Sequence, residues 1–410
     1  MERGLLGVAL IAVGAVGLLA VFGASALTAP THEVTGPHQT RTLVSVQGGG
    51  VGLHHGGNVR LLDGRGQTRW HVSNADSYFG AALSNGTLLA GFVSGGYHDC
   101  GPYDSPCVRT GYQLVDPATG TVHRQYSYPV RTGTNSETHD VERLPSGEFL
   151  LTDMEHERVF TVAPNGTITW QWNASSYYDA PADPTRVDWL HVNDADRIGP
   201  GRFLVSVRNA NQLLVIERGR GVVEVVNEDR DPSLLNHQHN PQWLSPNAIL
   251  VADSGNDRIV ELHRNRTTDE WAVAWALYRA DGLAFDWPRD ADRLPNGHTL
   301  ITDSSNKRVV EVAPNGSVVW SATEKRVPYE ADRLPYGERV GAPTYDQHGT
   351  VTETPGGGDS VPVLTTTLSI IQSGYPLPYW FTEWHLLALV VGGLAIVAGA
   401  VLVLAARVRG

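Results

Sequence analysis

PRDADRLPNGHTLITD, residues 288–303, decides the fold. It reads as a short strand, a Leu-Pro-Asn-Gly turn and a second, apolar strand. Proline presets the backbone at the first central position of such a turn, and glycine takes the left-handed position that closes it. The phrase returns as THDVERLPSGEFLLTD (138–153), VNDADRIGPGRFLVSV (192–207) and QHNPQWLSPNAILVAD (238–253), and PYEADRLPYGER (328–339) begins a fifth copy. A polar turn and a further hairpin follow, as in ERVFTVAPNGTITWQW (157–172) and KRVVEVAPNGSVVWSA (307–322). Degenerate copies fill the region before them: VRLLDGRGQTRWHV (59–72), ALSNGTLLAGF (82–92) and YQLVDPATGTVHRQY (112–126). Short strands on a period of about 50 residues are the signature of a β-propeller. The expected class is therefore all-β: a single propeller of about six blades over 40–340. The partial last repeat is expected to pair with the first strand and close the ring, which removes a free sheet edge.

With 410 residues and 41% hydrophobic content the chain can bury a sizeable core. A net charge of −12 argues against a nucleic-acid partner, which would select a basic face. The 31 basic residues are 29 arginines and only two lysines, Lys307 and Lys325, beside 43 carboxylates. Such a balance resembles the proteins of extreme halophiles, whose acidity keeps the surface hydrated; a GC-rich gene is the other source of arginine over lysine.

Two uncharged apolar runs bracket the repeats, 5–27 and 386–406, each long enough to span roughly 30 Å of hydrocarbon. Tyr375, Tyr379, Trp380, Phe381 and Trp384 form an aromatic belt ahead of the second. Arg3, Arg407 and Arg409 flank the runs, so the positive-inside rule places both termini in the cytoplasm and the repeats outside the cell membrane. A cleaved signal peptide ending at Ala-Ser-Ala (24–26) is the rival reading of the first run. Residues 341–380 read as a polar stalk and interfacial segment. An exported location agrees with a disulfide between Cys100 and Cys107 in the CGPYDSPC loop, the alternative being two free thiols. It also agrees with sequons at Asn85, Asn165, Asn173, Asn265 and Asn315, as in a glycoprotein.

A propeller brings the same repeat position of every blade to one height around one axis. The position four residues before the repeated Arg143, Arg197, Arg293 and Arg333 holds His139, Asn193, Arg289 and Tyr329, with His239 in the divergent copy and Tyr78 as the nearest match in the early one. These residues differ while their neighbours repeat, so they are the candidate site: a polar, anion-friendly ring. His191 and His237 lie two residues earlier, and in extended strands they would point the same way. Arg208 is read as replacing the Asp or Ser that follows the second strand in other copies. The recurring Asp and Arg of the D-x-D/E-R-L-P phrase read as structure, through turn hydrogen bonds and blade-to-blade ion pairs. The remaining histidines read as bland: His156, His263 and His298 as surface residues, and His54, His55, His98 and His348 as lacking a partner pattern. The H-x-H at 237–239 could share a zinc ion, but its neighbours offer amides rather than carboxylates or thiols, so no metal site is expected.

The repeated RLPNG-x-x-LITD phrases, WLHVNDAD (189–196), NHQHNPQWL (236–244) and DSGN (253–256) resemble the arylsulfotransferase propeller family over about 40–340. The resemblance implies an exported enzyme that moves a sulfuryl group from a phenolic sulfate ester to another phenol through a sulfohistidine, with no cofactor. Carried over to this chain, it makes His239 the nucleophile, with His237 beside it as the competing choice. His139 and His191 become further catalytic imidazoles that, with Asn193 and Arg208, hold the sulfate oxygens. His237, Arg289 and Tyr329 join the substrate-binding set from repeat geometry. The implied partners are small phenolic sulfate esters and phenols, and the membrane through both termini. Two other readings stand beside this one: a non-catalytic cell-surface propeller for ligand binding or adhesion, and another propeller enzyme such as a metal-dependent lactonase or quinone dehydrogenase.

Overall fold

The computed structural model describes residues 2–28, 40–49, 55–280, 282–345 and 381–408, together with 364, 367, 368 and 371. His54, His348, Tyr375, Tyr379, Trp380, Arg409 and most of the 341–380 segment lie outside the described residues. The chain divides into two compact units, 32–355 and the two terminal segments 1–31 with 356–410.

Among the described residues, six four-stranded antiparallel sheets form the blades of a six-bladed propeller, with a two-stranded ribbon of Arg279–Ala280 and Leu283–Ala284 beside them. Blade 2 begins with the innermost strand Ser77–Ser84, blade 3 with Val141–Arg143, blade 4 with Val192–Gly199, blade 5 with His239–Ser245 and blade 6 with Pro288–Arg293. Blade 1 is built from both ends of the repeat region: Val327–Leu334 is its innermost strand and pairs antiparallel with Arg41–Gly48. The ring thus closes as expected, by a strand 285 residues downstream of its partner, Ser45 facing Glu330.

The turns show why these sequences form blades. In blades 3 and 6 the Leu-Pro-Ser/Asn-Gly turns are closed by Gly147 N–H to Leu144 O and Gly297 N–H to Leu294 O, at 2.8 and 2.9 Å. Both glycines sit at positive φ, 86° and 82°, where a side chain is disfavoured. Alternating residues of successive blades then pack face to face, as where Leu150 and Val159 of blade 3 meet Phe203 and Val205 of blade 4.

The repeated Asp and Arg are structural stitches between blades. Arg293 of blade 6 pairs with Glu261 of blade 5 at 2.9 Å with both side chains fully buried. Arg333 pairs with Glu311 of blade 6. The acids of the innermost strands accept backbone N–H groups from the next blade: Glu142 from Arg197, Asp290 from Ala331, Glu330 from Ala81. Cys100 and Cys107 form the expected disulfide, closing the loop between the second and third strands of blade 2. Packing of the propeller reaches past the expected edge at 340, since the Tyr345 ring lies 3.3 Å from the Arg293 guanidinium carbon and its hydroxyl donates to Gly297 O.

In the terminal unit, helix α1 (Glu2–Thr28) and helix α2 (Glu383–Val408) are both long and apolar enough to cross a membrane. They pack antiparallel, with Gly7 against Gly399 and Gly14 against Gly392. A Cβ placed at Gly7 would lie 2.6 Å from Gly399 O, and one at Gly14 would lie 2.8 Å from Gly392 O. These glycines admit the close approach of the two helix backbones. Phe381 packs on Phe22 and is buried, whereas Trp384 remains exposed.

Candidate active site

The varied position of the repeat forms a ring, one residue per blade: Phe79, His139, Asn193, His239, Arg289 and Tyr329. All six are at most 6% exposed. Phe79 replaces the expected Tyr78, which instead packs in the core between blades and accepts a hydrogen bond from Asn74 N–H through its hydroxyl. The early copy is shifted by one residue, and Phe79 stacks on His139 with ring centres 4.7 Å apart.

His239 is the most elaborately held. Its Nδ1 lies 2.8 Å from Ser254 Oγ, and the Ser254 hydroxyl donates onward to Pro288 O at 2.5 Å. A hydroxyl proton directed at a carbonyl leaves Oγ as the acceptor, so Nδ1 carries the imidazole proton and Nε2 keeps its lone pair. Burial drives the His239 pKa well below the usual histidine range, and the Arg289 and Arg208 guanidiniums add to it, so the ring is neutral. Ser254 belongs to the DSGN motif noted in the sequence, but its pairing with His239 joins two strands of blade 5 and is not readable from one dimension.

His191 is engaged at both nitrogens. Its Nδ1–H donates to Asp188 Oδ1 at 2.6 Å and its Nε2 accepts from Arg208 Nη1 at 2.8 Å. Burial and then Arg208 push its pKa down to about 3. Asp188 also reaches Arg208 Nη2 at 3.8 Å. The triad fixes Arg208 in place, and Arg208 is itself largely buried.

His139 sits at the junction. Its Nδ1 is 2.9 Å from Tyr329 Oη, its Nε2 is 3.7 Å from Glu137 Oε1, and its ring centre is 5.2 Å from that of His191. Tyr329 touches four members of the site: its ring centre lies 5.2 Å from Phe79, 5.2 Å from His139, 6.3 Å from His239 and 5.4 Å from the Arg289 guanidinium carbon. Arg289 Nε and Nη1 are buried with no hydrogen-bond partner among the described residues. Burial lowers its pKa to about 10, which still leaves it charged. Asn193 donates from Nδ2 to Gln238 O at 2.9 Å, steadying the backbone beside His239.

His237 does not align with His239 as an extended strand would place it. His191 (φ 56°), His237 (φ 48°) and Trp287 (φ 50°) share one repeat position, and all three are left-handed. The chain kinks there in three successive blades, which sets Trp287 beside both His237 and His239, at ring-centre distances of 6.3 and 6.0 Å. Trp287 was missed in the sequence, though aligning two residues further upstream would have placed it with the two histidines.

The three histidines expected at the surface have structural partners: His156 with Asp153, His263 with Glu261 and His298 with Glu311. Of these, His156 is exposed and the other two are half-buried. Among the described residues no cluster of three or more His, Cys, Asp or Glu is disposed to hold a metal ion. A groove of about 220 Å³ between blades 3 and 4, lined by Leu144, Ser146, Glu148, Phe203 and Arg218, lies at the opposite ends of the innermost strands and holds none of the ring residues.

Neutral imidazoles and two buried guanidiniums are thus gathered in one ring. In comparison with known proteins, residues 53–227 match the family described as Arylsulfotransferase (ASST). The matched stretch includes His139, His191, Asn193 and Arg208 and ends before His239. No curated protein matches the chain. Among solved structures, a protein of unknown function from Bacteroides caccae is 14% identical, with a TM-score of 0.52 over 73% of this chain and 100% of its own. The periplasmic gluconolactonase of Pseudomonas aeruginosa is 14% identical, with a TM-score of 0.40 over 72% of this chain and 98% of its own. Virginiamycin B lyase from Staphylococcus aureus is 10% identical, with a TM-score of 0.36 over 64% and 72%. At such identities the first likeness is one of fold alone.

Proposed function

We propose that the protein is a membrane-anchored sulfotransferase that moves a sulfuryl group from an aryl sulfate to a phenol through a sulfohistidine at His239. The observation that carries this reading is the His239 imidazole itself: neutral, buried, with Nδ1–H committed to Ser254 and Nε2 left as a lone pair beside Arg208 and Arg289. In the first half-reaction Nε2 attacks sulfur, the S–O(aryl) bond breaks, and its electron pair leaves on the phenolic oxygen. In the second an acceptor phenol attacks the same sulfur, and the S–N bond returns its pair to Nε2.

Sulfuryl transfer spreads negative charge over three equatorial oxygens, as phosphoryl transfer does. The unpaired Nε and Nη1 groups of Arg289, and Arg208 braced by His191 and Asp188, are preorganised, buried donors for that charge. His139 and Tyr329 complete the oxygen-binding set. His191 and Asn193 act as positioning residues, the first for Arg208 and the second for the backbone at Gln238. The two antiparallel terminal helices serve as the anchor, with the flanking arginines on the cytoplasmic side and the propeller outside.

The full-length protein should release 4-nitrophenol from 4-nitrophenyl sulfate in a burst stoichiometric with enzyme. It should then gain the mass of one sulfuryl group on His239 and turn over only when a phenol acceptor is added. The His239→Ala variant should do neither. A folded protein that shows no burst and no adduct would overturn this reading in favour of a ligand-binding propeller.

A further inference from the structure

The histidine–guanidinium ring accounts for the sulfuryl group but leaves the aromatic half of the substrate without a partner, and leaves Trp287 and His237 without a task. Trp287 is half-buried in a backbone conformation that a bulky residue adopts only under strain. Its backbone N–H is tied to Asp257 Oδ1 at 2.8 Å, while the indole Nε1–H is enclosed with no partner among the described residues. The indole lies near both the His237 and the His239 rings, edge-on to the second.

His237 is prepared for proton transfer. Its Nδ1 lies 2.7 Å from Asn236 Oδ1, and the Asn236 amide nitrogen donates to Gly255 O. That chain turns Oδ1 toward the histidine, so Nδ1–H is the donor and Nε2 is left as a base. Burial lowers the His237 pKa, with Arg208 adding to it and Asp188 opposing, which keeps the ring neutral. His237 is also the more open of the two imidazoles, half-buried where His239 is 1% exposed.

We infer that Trp287 and His237 form the aryl subsite: the phenol ring lies against the indole, and His237 Nε2 exchanges the phenolic proton. This rests on the sulfotransferase reading above. In the acceptor step the phenol O–H proton passes to His237 Nε2 as the oxygen bonds to sulfur and the S–N(His239) bond breaks. The imidazolium then gives its proton to water, or to the departing phenolate of the next donor. His239 is thus the nucleophile and His237 the base, which separates two histidines that the sequence leaves in competition.

The test uses the full-length protein with 4-nitrophenyl sulfate as donor and a series of substituted phenols of graded acidity as acceptors. Trp287→Ala should raise the acceptor KM about tenfold, with Trp287→Phe restoring most of it. His237→Gln should slow transfer to weakly acidic phenols by about 10²-fold, and progressively less as the phenol becomes acidic enough to arrive ionised. An equal loss across the series would reduce His237 to a structural residue, and a Trp287→Ala defect that Phe does not repair would remove the aryl platform; either overturns the inference. A wild-type protein without a donor burst would instead overturn the sulfotransferase reading and this inference with it.

Discussion

The turn after the second strand of blade 6 and the same turn of blade 4 are built to opposite ends. In blade 6, Asp303 and Arg308 form a fully buried ion pair at 2.7 Å, and Asn306 donates to the same carboxylate. Blade 5 repeats it with Asp253, Arg258 and Asn256, and blade 3 with Asp153, Arg158 and His156. In blade 4, Val207 and Gln212 occupy the Asp and Arg places. Gln212 is held by neutral groups, accepting from Tyr178 Oη at 2.8 Å and donating to Asn227 O. The guanidinium appears instead one residue along, as Arg208, where the other blades carry Met154, Ser254 and Ser304. Three turns use arginine to close the scaffold, and one turn closes without it and directs an arginine into the ring. Positions that repeat pair their charges across the turn; the position that breaks the repeat sets its guanidinium among the ring residues, braced by His191 and Asp188.

Attacking a position of each kind should therefore give opposite phenotypes. The largest effect belongs to the ring: His239→Ala should cost about 10⁴-fold or more in turnover while leaving the thermal midpoint nearly unchanged, measured by burst kinetics and calorimetry. Asp303→Ala should do the reverse, losing about 3–5 kcal/mol in denaturant unfolding because Arg308 is left buried and unpaired, with turnover per folded molecule retained. Arg208→Ser, which restores the residue type of blades 5 and 6, should lower kcat/KM by about 10²–10³-fold with a stability change under about 1 kcal/mol. If Arg208→Ser unfolds the protein, the distinction between the two turns fails.

The smallest effect is a drift with pH. Burial raises the pKa of Asp140, Glu142 and Asp290 to about 7. Raised values mean that the folded state holds protons the unfolded chain has released, so stability falls as pH rises through about 7. The depressed His191 and His239 act with the opposite sign, and only below about pH 6.5, where an unfolded histidine takes up a proton. Between about pH 6.5 and 8 the histidine contribution fades and the carboxylates dominate. The urea midpoint should drop across that interval, and Asp290→Asn should flatten the drop.

The fold was legible because propeller information is local and repeated: Pro-x-Gly turns, alternating strands and an orphan last strand name the blades without any long-range contact. The ring was legible for a related reason, since symmetry converts a repeat position into a height. Five of its six members follow from that arithmetic, and it failed at Phe79 because the early copy is displaced by one residue. What stayed hidden depends on backbone kinks and on contacts across strands. A left-handed residue at 191, 237 and 287 cannot be read from an alternating pattern. Neither can the hydrogen bonds that hand His239 to Ser254 and His191 to both Asp188 and Arg208. The helix pairing at Gly7 and Gly399 was hidden likewise, because a glycine shows its purpose only opposite the backbone it admits.

The strand Val327–Leu334 brings in Tyr329, whose hydroxyl meets His139 Nδ1 from 190 residues away. Every other ring member is synthesised before it. Until this last strand takes its place against Arg41–Gly48, the ring has a gap where its most connected member belongs. A chain that stops short is thus left not with a weakened site but with an unfinished one. The architecture ties an intact ring to completion of the chain.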